Sequence, residues 1–340
     1  MTQDRQEREA GPGPEQPDFA AVAAAAERIR EQVLATPLLA LPKLSDALGQ
    51  ELLAKPEYLQ STGSFKLRGA ANALLSLTPR QRAAGVVCSS TGNHGRAVAT
   101  MARRLGIACT VCLSELVPEN KRQAVAAQGA TVRVIGRSQD DAEIEAQRLA
   151  TEEGMTPISP FDDAAVIAGQ GTAGLEIAEA RPDVARVVVP LSGGGLLAGV
   201  ALAVKARCPG AKVIGVTMER GAAMHASLAA GHPVDVVEEP TLADSLGGGI
   251  GLDNRHSFAL VQALIDDAVL VSEDAIAEAL RRFYRDEQIV CEGGAAVGLA
   301  AFLDGKLAAA PGATVLLLSG RNIDMNLHHR LMSDGRGEAR

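Results

Sequence analysis

Short runs of β-branched and aliphatic residues, most closing on serine or glycine and separated by helix-length stretches, restrict this chain more than any other feature. The runs are GVVCSS (85–90), ACTVCLS (108–114), TVRVIG (131–136), RVVVPLS (186–192), KVIGVT (212–217) and TVLLLSG (314–320). Between them lie GRAVATMARRLG, ENKRQAVAAQGA, DDAEIEAQRLATEEG, GGLLAGVALAVKARCPG and SEDAIAEALRRFYRDEQ. Near-continuous apolar runs read as strands buried on both faces, and helices between them are the crossovers of parallel sheets. The predicted class is α/β. In such sheets ligands sit beyond the carboxyl ends of the strands, where the chain turns into the next helix.

Composition removes several function classes. With 340 residues and 47% apolar content the chain buries a full core, and it is long enough for two lobes. A net charge of −8 disfavours nucleic acid and anionic membrane surfaces, which need a basic face. Six Phe, two Tyr and no Trp leave little for stacking bases. No apolar run reaches the roughly 20 residues of a membrane span, and no signal-peptide pattern opens the chain. A cytoplasmic location is the resulting expectation. Residues 1–17, MTQDRQEREAGPGPEQP, read as a disordered tail. Cys109 and Cys112 make a CxxC spacing inside a strand-like run, without the second pair a zinc site needs, and read as core thiols.

Three turns concentrate chemistry. In VVCSSTGNHGRAVATMA the strand ends at Ser89 and a helix is expected from about Arg96. Between them Ser90, Thr91, Gly92, Asn93, His94 and Gly95 bring backbone N–H groups, hydroxyls, an amide and an imidazole to a helix start. That suits an anion such as a carboxylate, and equally a plain capped turn. In VVVPLSGGGLLAGVALAV the strand runs into Ser192, Gly193, Gly194 and Gly195 before an apolar helix. Consecutive glycines let backbone wrap an anion, or let helices pack closely. No GK[ST] follows and the GxGxxG spacing is missed, so a compact phosphate monoester fits better than a nucleotide. The third strand, TVLLLSGRNID, ends at Ser319 with one neutral hydroxyl. HExxH, EF-hand and GxSxG patterns are absent.

A fourth stretch, GSFKLRGAANALLS (63–76), has the apolar stripe of a helix, with Ser64 placed as its N-cap and Lys66 in its first turn. A helix N-terminus disfavours a cation there.

TGSFKLRGA (62–70), SSTGNHGRA (89–97), SGGGLLAG (192–199) and LSGRNID (318–324), in this order, resemble the fold-type II pyridoxal phosphate (PLP) enzymes of the threonine/serine dehydratase group. The resemblance spans about residues 20–330. MERGAAMHASLAAGHPV and PTLADSLGGGIGLDNR are similar to the hydroxyectoine-utilisation dehydratases of that group. The resemblance implies a two-lobed fold of tryptophan synthase β type, with parallel-rich sheets flanked by helices. It divides the chain into a large lobe, 18–84 and 162–340, and a small inserted lobe, 85–161, usually in a homodimer. It implies that Lys66 forms the Schiff base with PLP. A neutral amine at that helix start is then both nucleophile and general base. Phe65 would pack on the cofactor ring and Asn93 would bond its phenolic oxygen. Ser192, Gly193, Gly194, Gly195 and Leu196 would cradle the phosphate, and Ser319 would face the pyridine nitrogen. Ser90, Thr91, Gly92 and His94 would hold the substrate carboxylate.

The implied reaction is β-elimination on a β-hydroxy amino acid, giving a 2-oxo acid and ammonia, in the EC 4.3.1 class. A neutral serine at 319, in place of an aspartate, favours loss of a β-substituent over reprotonation. The alternatives are a catabolic L-threonine/L-serine dehydratase, a serine or hydroxyaspartate racemase-dehydratase, and a non-catalytic phosphate-ligand-binding protein. The chain departs from the group at several positions. Ser192 replaces a glycine, and Thr91 stands where racemases carry a serine. Thr217 and Ala223 stand where relatives carry metal-ligand carboxylates, so no metal is expected. Ser245 and Arg321 replace glycines on the substrate side, which suits a larger or more polar substrate than threonine. Arg321 could equally pair with Asp324 at the surface. Glu292, in VCEGGAAVGLAA, is either a group near the ring or a helix-start carboxylate.

Overall fold

The computed structural model describes residues 16–90, 92–117, 119–137 and 139–334. Most of the expected tail, and Thr91 among the site candidates, lie outside the described residues. The strands are β1 (Leu39–Ala40), β2 (Leu52–Pro56), β3 (Val86–Ser89), β4 (Cys109–Leu113), β5 (Thr131–Val134), β6 (Thr156–Pro157), β7 (Arg186–Pro190), β8 (Lys212–Met218), β9 (Asp267–Val271) and β10 (Thr314–Leu318). The helices are α1 (Phe19–Ile29), α2 (Pro42–Leu48), α3 (Lys66–Leu75), α4 (Pro79–Ala84), α5 (Asn93–Leu105), α6 (Glu119–Ala126) and α7 (Gln139–Glu152). They continue with α8 (Ala164–Ala180), α9 (Gly195–Arg207), α10 (Ala223–Ala230), α11 (Ser257–Leu264), α12 (Glu273–Glu287), α13 (Gly293–Leu303) and α14 (Met325–Asp334).

Two sheets result. One has the order β1-β2-β10-β7-β8-β9 and the other β5-β4-β3-β6. Every pairing is parallel except β1 with β2. The α/β class expected from the strand–helix rhythm is what forms.

Period-two geometry splits the large sheet's side chains between two cores. Leu52, Ala54, Val188, Leu316 and Leu318 pack on one face, with α12 and α13. Leu53, Val187, Val189, Val315 and Leu317 pack on the other, with α8 and α9. Helices apolar over most of their circumference are largely buried, and α8, α9 and α13 are of this kind. α8 and α9 touch backbone to backbone. A Cβ on Gly199 would fall 2.3 Å from the Ile167 carbonyl oxygen, and one on Gly174 2.7 Å from that of Val200. No described helix is long and apolar enough to cross a membrane.

Strand order positions the site. β2, β10 and β7 are adjacent, and Leu318 pairs with Pro56 at their carboxyl ends. The chain leaving β2 reaches Lys66, the chain leaving β10 reaches Ser319, and the chain leaving β7 enters the glycine run. A backbone bridge between Ser64 and Gly320 ties the first two exits together. Phe65 N–H donates to the Ser319 carbonyl oxygen at 3.0 Å, and Arg321 N–H to that of Gly63 at 2.9 Å.

Candidate active site

Lys66 is the first residue of α3. Its Nζ donates to the carbonyl oxygen of Pro160 at 2.7 Å and lies 5.1 Å from the Phe65 ring centre. Burial lowers its pKa to about 8, against the opposing pull of the Glu292 carboxylate. Ser64 does not cap this helix, contrary to expectation. Phe65 occupies the cap position in helical conformation, and the buried Ser64 hydroxyl has no hydrogen-bond partner. The bonds of Phe65 to Ser319 and of Arg321 to Gly63 hold the backbone on either side of Ser64, which sets where its side chain can reach.

α3 is held from behind by charges. Arg68, fully buried, donates to both oxygens of Glu57 at 2.7 and 2.8 Å and to both oxygens of Glu176 at 2.7 Å. Lys55 also pairs with Glu176 and donates to the Thr36 carbonyl oxygen at 2.6 Å. Burial opposes ionisation of Glu57, but the Arg68 guanidinium, joined by Lys55 and Thr36, outweighs it and holds that carboxyl below its usual range. Because Arg68 lies two residues from Lys66, this network fixes the turn that carries the amine. Sequence reading passed over it, since partners 11 and 108 residues away leave no local pattern.

The turn after β3 enters α5 at Asn93, earlier than the predicted start near Arg96, so Asn93 and His94 belong to the helix's first turn. His94 is buried, and its Nε2 lies 2.8 Å from the Ile158 carbonyl oxygen. A carbonyl accepts only, so Nε2 carries the proton and Nδ1 is a lone pair, buried without a partner. Burial, aided by repulsion from Lys66, pushes its pKa down to about 3. The ring therefore stays neutral, with its one N–H on the Ile158 carbonyl oxygen, and the His94 backbone N–H stands in the first turn of α5. Ser90 Oγ accepts from Gly92 N–H at 3.4 Å.

The glycine run is sterically required. A Cβ on Gly193 would fall 2.2 Å from the Phe161 ring, and one on Gly195 2.5 Å from the Phe161 carbonyl oxygen. Gly194, at φ +88°, would strike Met224 Cε at 2.7 Å. α9 begins at Gly195, so its first N–H groups, including that of Leu196, are free of intrahelical partners, and the glycines before it put no side chain of their own on the turn. Ser192 is half-buried beside them, and Ser319 is buried at the end of β10.

Glu292 and Asn322 join the first and third turns. Asn93 Nδ2 donates to Glu292 Oε1 at 2.8 Å, and Asn322 N–H to Glu292 Oε2 at 3.1 Å. Asn322 Nδ2 donates to Asn93 Oδ1 and, at 3.1 Å, to the Thr62 carbonyl oxygen. Burial raises the Glu292 pKa, while hydrogen bonds from Asn93, Asn322 and Ser245 oppose the rise. Ser245 lies on the same carboxylate, its hydroxyl 2.3 Å from where a Cβ of Gly294 would be. Glu292 occupies the cap position of α13 but makes no capping bond, and its oxygens face Asn93 and Asn322. Asn322 lies in LSGRNID, where nothing in the local spacing marks it, because its partners are 226 to 260 residues away or at Glu292. Arg321 is exposed, and Asp324 receives the N–H groups of Asn326 and Leu327 at 2.9 Å. The alternative pairing of Arg321 with Asp324 does not form.

Among the described residues no three His, Cys, Asp or Glu side chains are grouped to hold a metal ion. Thr217 is buried in β8, and Ala223 opens α10. All five cysteines are free and buried, and burial pushes the Cys109 and Cys112 thiols up to about 12 and about 11.

An amine of depressed pKa, a glycine-built turn at a helix start and a neutral hydroxyl thus stand at three adjacent strand ends. This donor set fits a phosphorylated aldehyde, with Lys66 on the carbonyl carbon and the glycine run on the phosphate.

Comparison with known proteins agrees. The family described as "Pyridoxal-phosphate dependent enzyme" matches residues 29–320. A "Putative threonine dehydratase" of Sinorhizobium fredii is 55% identical over 309 residues, covering 91% of this chain and 93% of that protein. An "L-threonine ammonia-lyase" of Thermotoga maritima is 41% identical over 292 residues, 86% of this chain and 72% of the relative. Maize serine racemase superposes with a TM-score of 0.88 at 31% identity, over 94% of this chain and 98% of that one. The chain belongs to the pyridoxal-phosphate-dependent enzymes, within their threonine dehydratase-like fold-type II group, and is a lyase that uses pyridoxal phosphate.

Proposed function

We propose that this lyase removes a β-hydroxyl and the amino group from a β-hydroxy amino acid, leaving a 2-oxo acid and ammonia, in hydroxyectoine utilisation. The net conversion balances without added water, because the molecule eliminated across Cα–Cβ is taken up again when nitrogen leaves. The observation that carries the reading is Lys66, whose amine is half-deprotonated near pH 8 and lies at the meeting point of three strand ends. Bound there, pyridoxal phosphate supplies the electron sink that makes an amino acid's α-hydrogen removable.

The chain's own residues do the rest. Lys66, held in place by the Arg68 network, takes up the α-proton in its neutral form. Phe65 flanks the ring, Asn93 offers an amide N–H to the phenolic oxygen, and Ser192 to Leu196 hold the phosphate. Ser319 presents a neutral hydroxyl to the ring nitrogen, and a hydroxyl cannot keep a proton there as a carboxylate does. Ser90, Gly92 and the backbone N–H of His94, with Thr91, receive the substrate carboxylate at the positive end of α5. The lobe formed by 85–161 closes on the lobe formed by 18–84 and 162–340, excluding water.

Two features support the hydroxyectoine assignment over threonine. Ser245 places a hydroxyl on Glu292, and Arg321, exposed and tied through its backbone N–H to the Gly63 carbonyl oxygen, adds a guanidinium, at two positions where the resemblance leads one to expect glycine. The second reading, a threonine or serine dehydratase, is favoured by the names of the 55% and 41% identical relatives. Ammonia release measured on threonine, serine, 3-hydroxyaspartate and the β-hydroxy amino acids derived from hydroxyectoine decides between them. The proposal expects the highest kcat/KM on a hydroxyectoine-derived substrate, and threonine in that position overturns it. Chiral analysis of recovered serine tests racemisation in the same assay.

A further inference from the structure

Asn93 carries an amide whose two ends differ only in polarity, so its usefulness depends on which end faces the site. Four hydrogen bonds decide this, and each end of the chain of bonds is a group that works in one direction only. Arg96 Nη1 donates to Asn322 Oδ1 at 2.6 Å, and a guanidinium has no acceptor. The Thr62 carbonyl oxygen receives Asn322 Nδ2 at 3.1 Å, and a carbonyl has no donor. The Asn322 amide is therefore locked with its oxygen toward Arg96 and its nitrogen toward Asn93 Oδ1. Asn93, in turn, must present Nδ2 to Glu292 Oε1, at 2.8 Å, which leaves its second N–H unspent.

We propose that Asn322, oriented by Arg96 and Thr62, is a positioning residue that fixes the Asn93 amide with its free N–H available to the cofactor's phenolic oxygen. The inference rests on the reading of Lys66 and Asn93 as the cofactor site. The residues come from four separate segments: the exit of β2, α5, the start of α13 and the exit of β10. Gly63 is part of the same arrangement, because at φ +78° its absent Cβ would fall 2.7 Å from Asn322 Oδ1. A side chain there would displace the amide that sets the direction.

A double-mutant cycle tests this through the affinity of the apoprotein for pyridoxal phosphate, read by fluorescence titration, with the absorbance band of the lysine-bound cofactor as a second signal. Asn322→Ala should weaken cofactor binding about 10-fold in the native background and less than about 2-fold when Asn93→Ala is already present, because contacting residues are non-additive. An equal loss in both backgrounds overturns the inference and leaves Asn322 a purely structural residue. Asn322→Asp keeps the shape but turns the donor into an acceptor facing Asn93 Oδ1, and should weaken binding at least as much as alanine. Arg96→Lys, which still only donates, should restore most of what Arg96→Leu loses. These last two variants serve should Asn322→Ala fail to fold, and unchanged affinity in Arg96→Leu counts against the inference. Native apoprotein that takes up no cofactor at Lys66 would instead refute the site itself.

Discussion

The amine of Lys66 and the carbonyl oxygen of Pro160 are joined by a 2.7 Å hydrogen bond across 94 residues of sequence. Pro160 sits in a short strap, residues 158–163, that reaches nearly every part of the site. The Ile158 carbonyl holds His94, and Phe161 covers Gly193 and Gly195. Asp162 accepts from the N–H groups of Arg255, His256 and Ser257 at 2.7–2.9 Å, and Asp163 caps α8. One loop between β6 and α8 therefore links the lysine, the imidazole, the anion cradle and the start of α11.

Lys66→Ala removes the group proposed to bond the cofactor covalently. Borohydride treatment followed by intact mass should show no cofactor fixed to the chain, and turnover should fall at least ~10³-fold. The variant should remain folded, since Arg68 and not Lys66 anchors α3. Full turnover in this variant would falsify the assignment.

The lowered Lys66 pKa gives a pH dependence with a definite sign. The neutral amine attacks an aldehyde, so cofactor uptake by the apoprotein should rise with pH through a midpoint near 8 and level off above it. The Glu292 carboxylate favours the ammonium form. Glu292→Gln should therefore move the midpoint downward, as followed by absorbance in stopped flow; an upward move contradicts the electrostatic account.

His94 ties stability to acid. Its folded pKa, about 3, is below the ordinary 6.5, so between these values the unfolded chain binds a proton that the folded chain refuses. Stability from this group is intact above pH 6.5 and is lost as pH falls toward 3, amounting to about 2 kcal/mol by pH 5. His94→Gln retains a donor for Ile158 and removes the titration. Urea midpoints at pH 7 and pH 5 should differ less in this variant than in the native protein; an equal difference removes His94 from the acid response.

Arg68→Leu leaves Glu57 buried without its main counter-charge. Breaking a buried pair in this way costs about 3–5 kcal/mol. The urea midpoint should drop accordingly, and cofactor uptake in the surviving folded fraction should slow, because the first turn of α3 has lost its anchor. A variant as stable as the native chain would show that the network contributes nothing net.

The large features were legible because they follow from local pattern. β3, β4, β5, β7, β8 and β10 all fall within their predicted runs to within a residue, since buried parallel strands need unbroken apolar sequence. β1 and β6, of two residues each, and β9, with an acidic first residue and partly exposed side chains, carry too weak a signal to stand out. β2 is fully buried but contains Lys55, whose charge is neutralised by a glutamate far along the chain. Helix starts were less legible than helix existence. Ser64 looks like a cap and is not one, because bonds from Gly63 and Phe65 to the exit of β10 hold the chain on either side of it.

The sequence alone determined the α/β class, the glycine run and the place of Lys66 at a helix start, because each depends on residues within a few positions of one another. Only the tertiary structure decided which ends of Asn93 and Asn322 face inward, that His94 spends its single proton on Ile158, and that Arg68 anchors the turn beneath the amine. Those outcomes depend on hydrogen bonds and charges between residues 11 to 260 positions apart, and no local spacing encodes which donor will meet which acceptor.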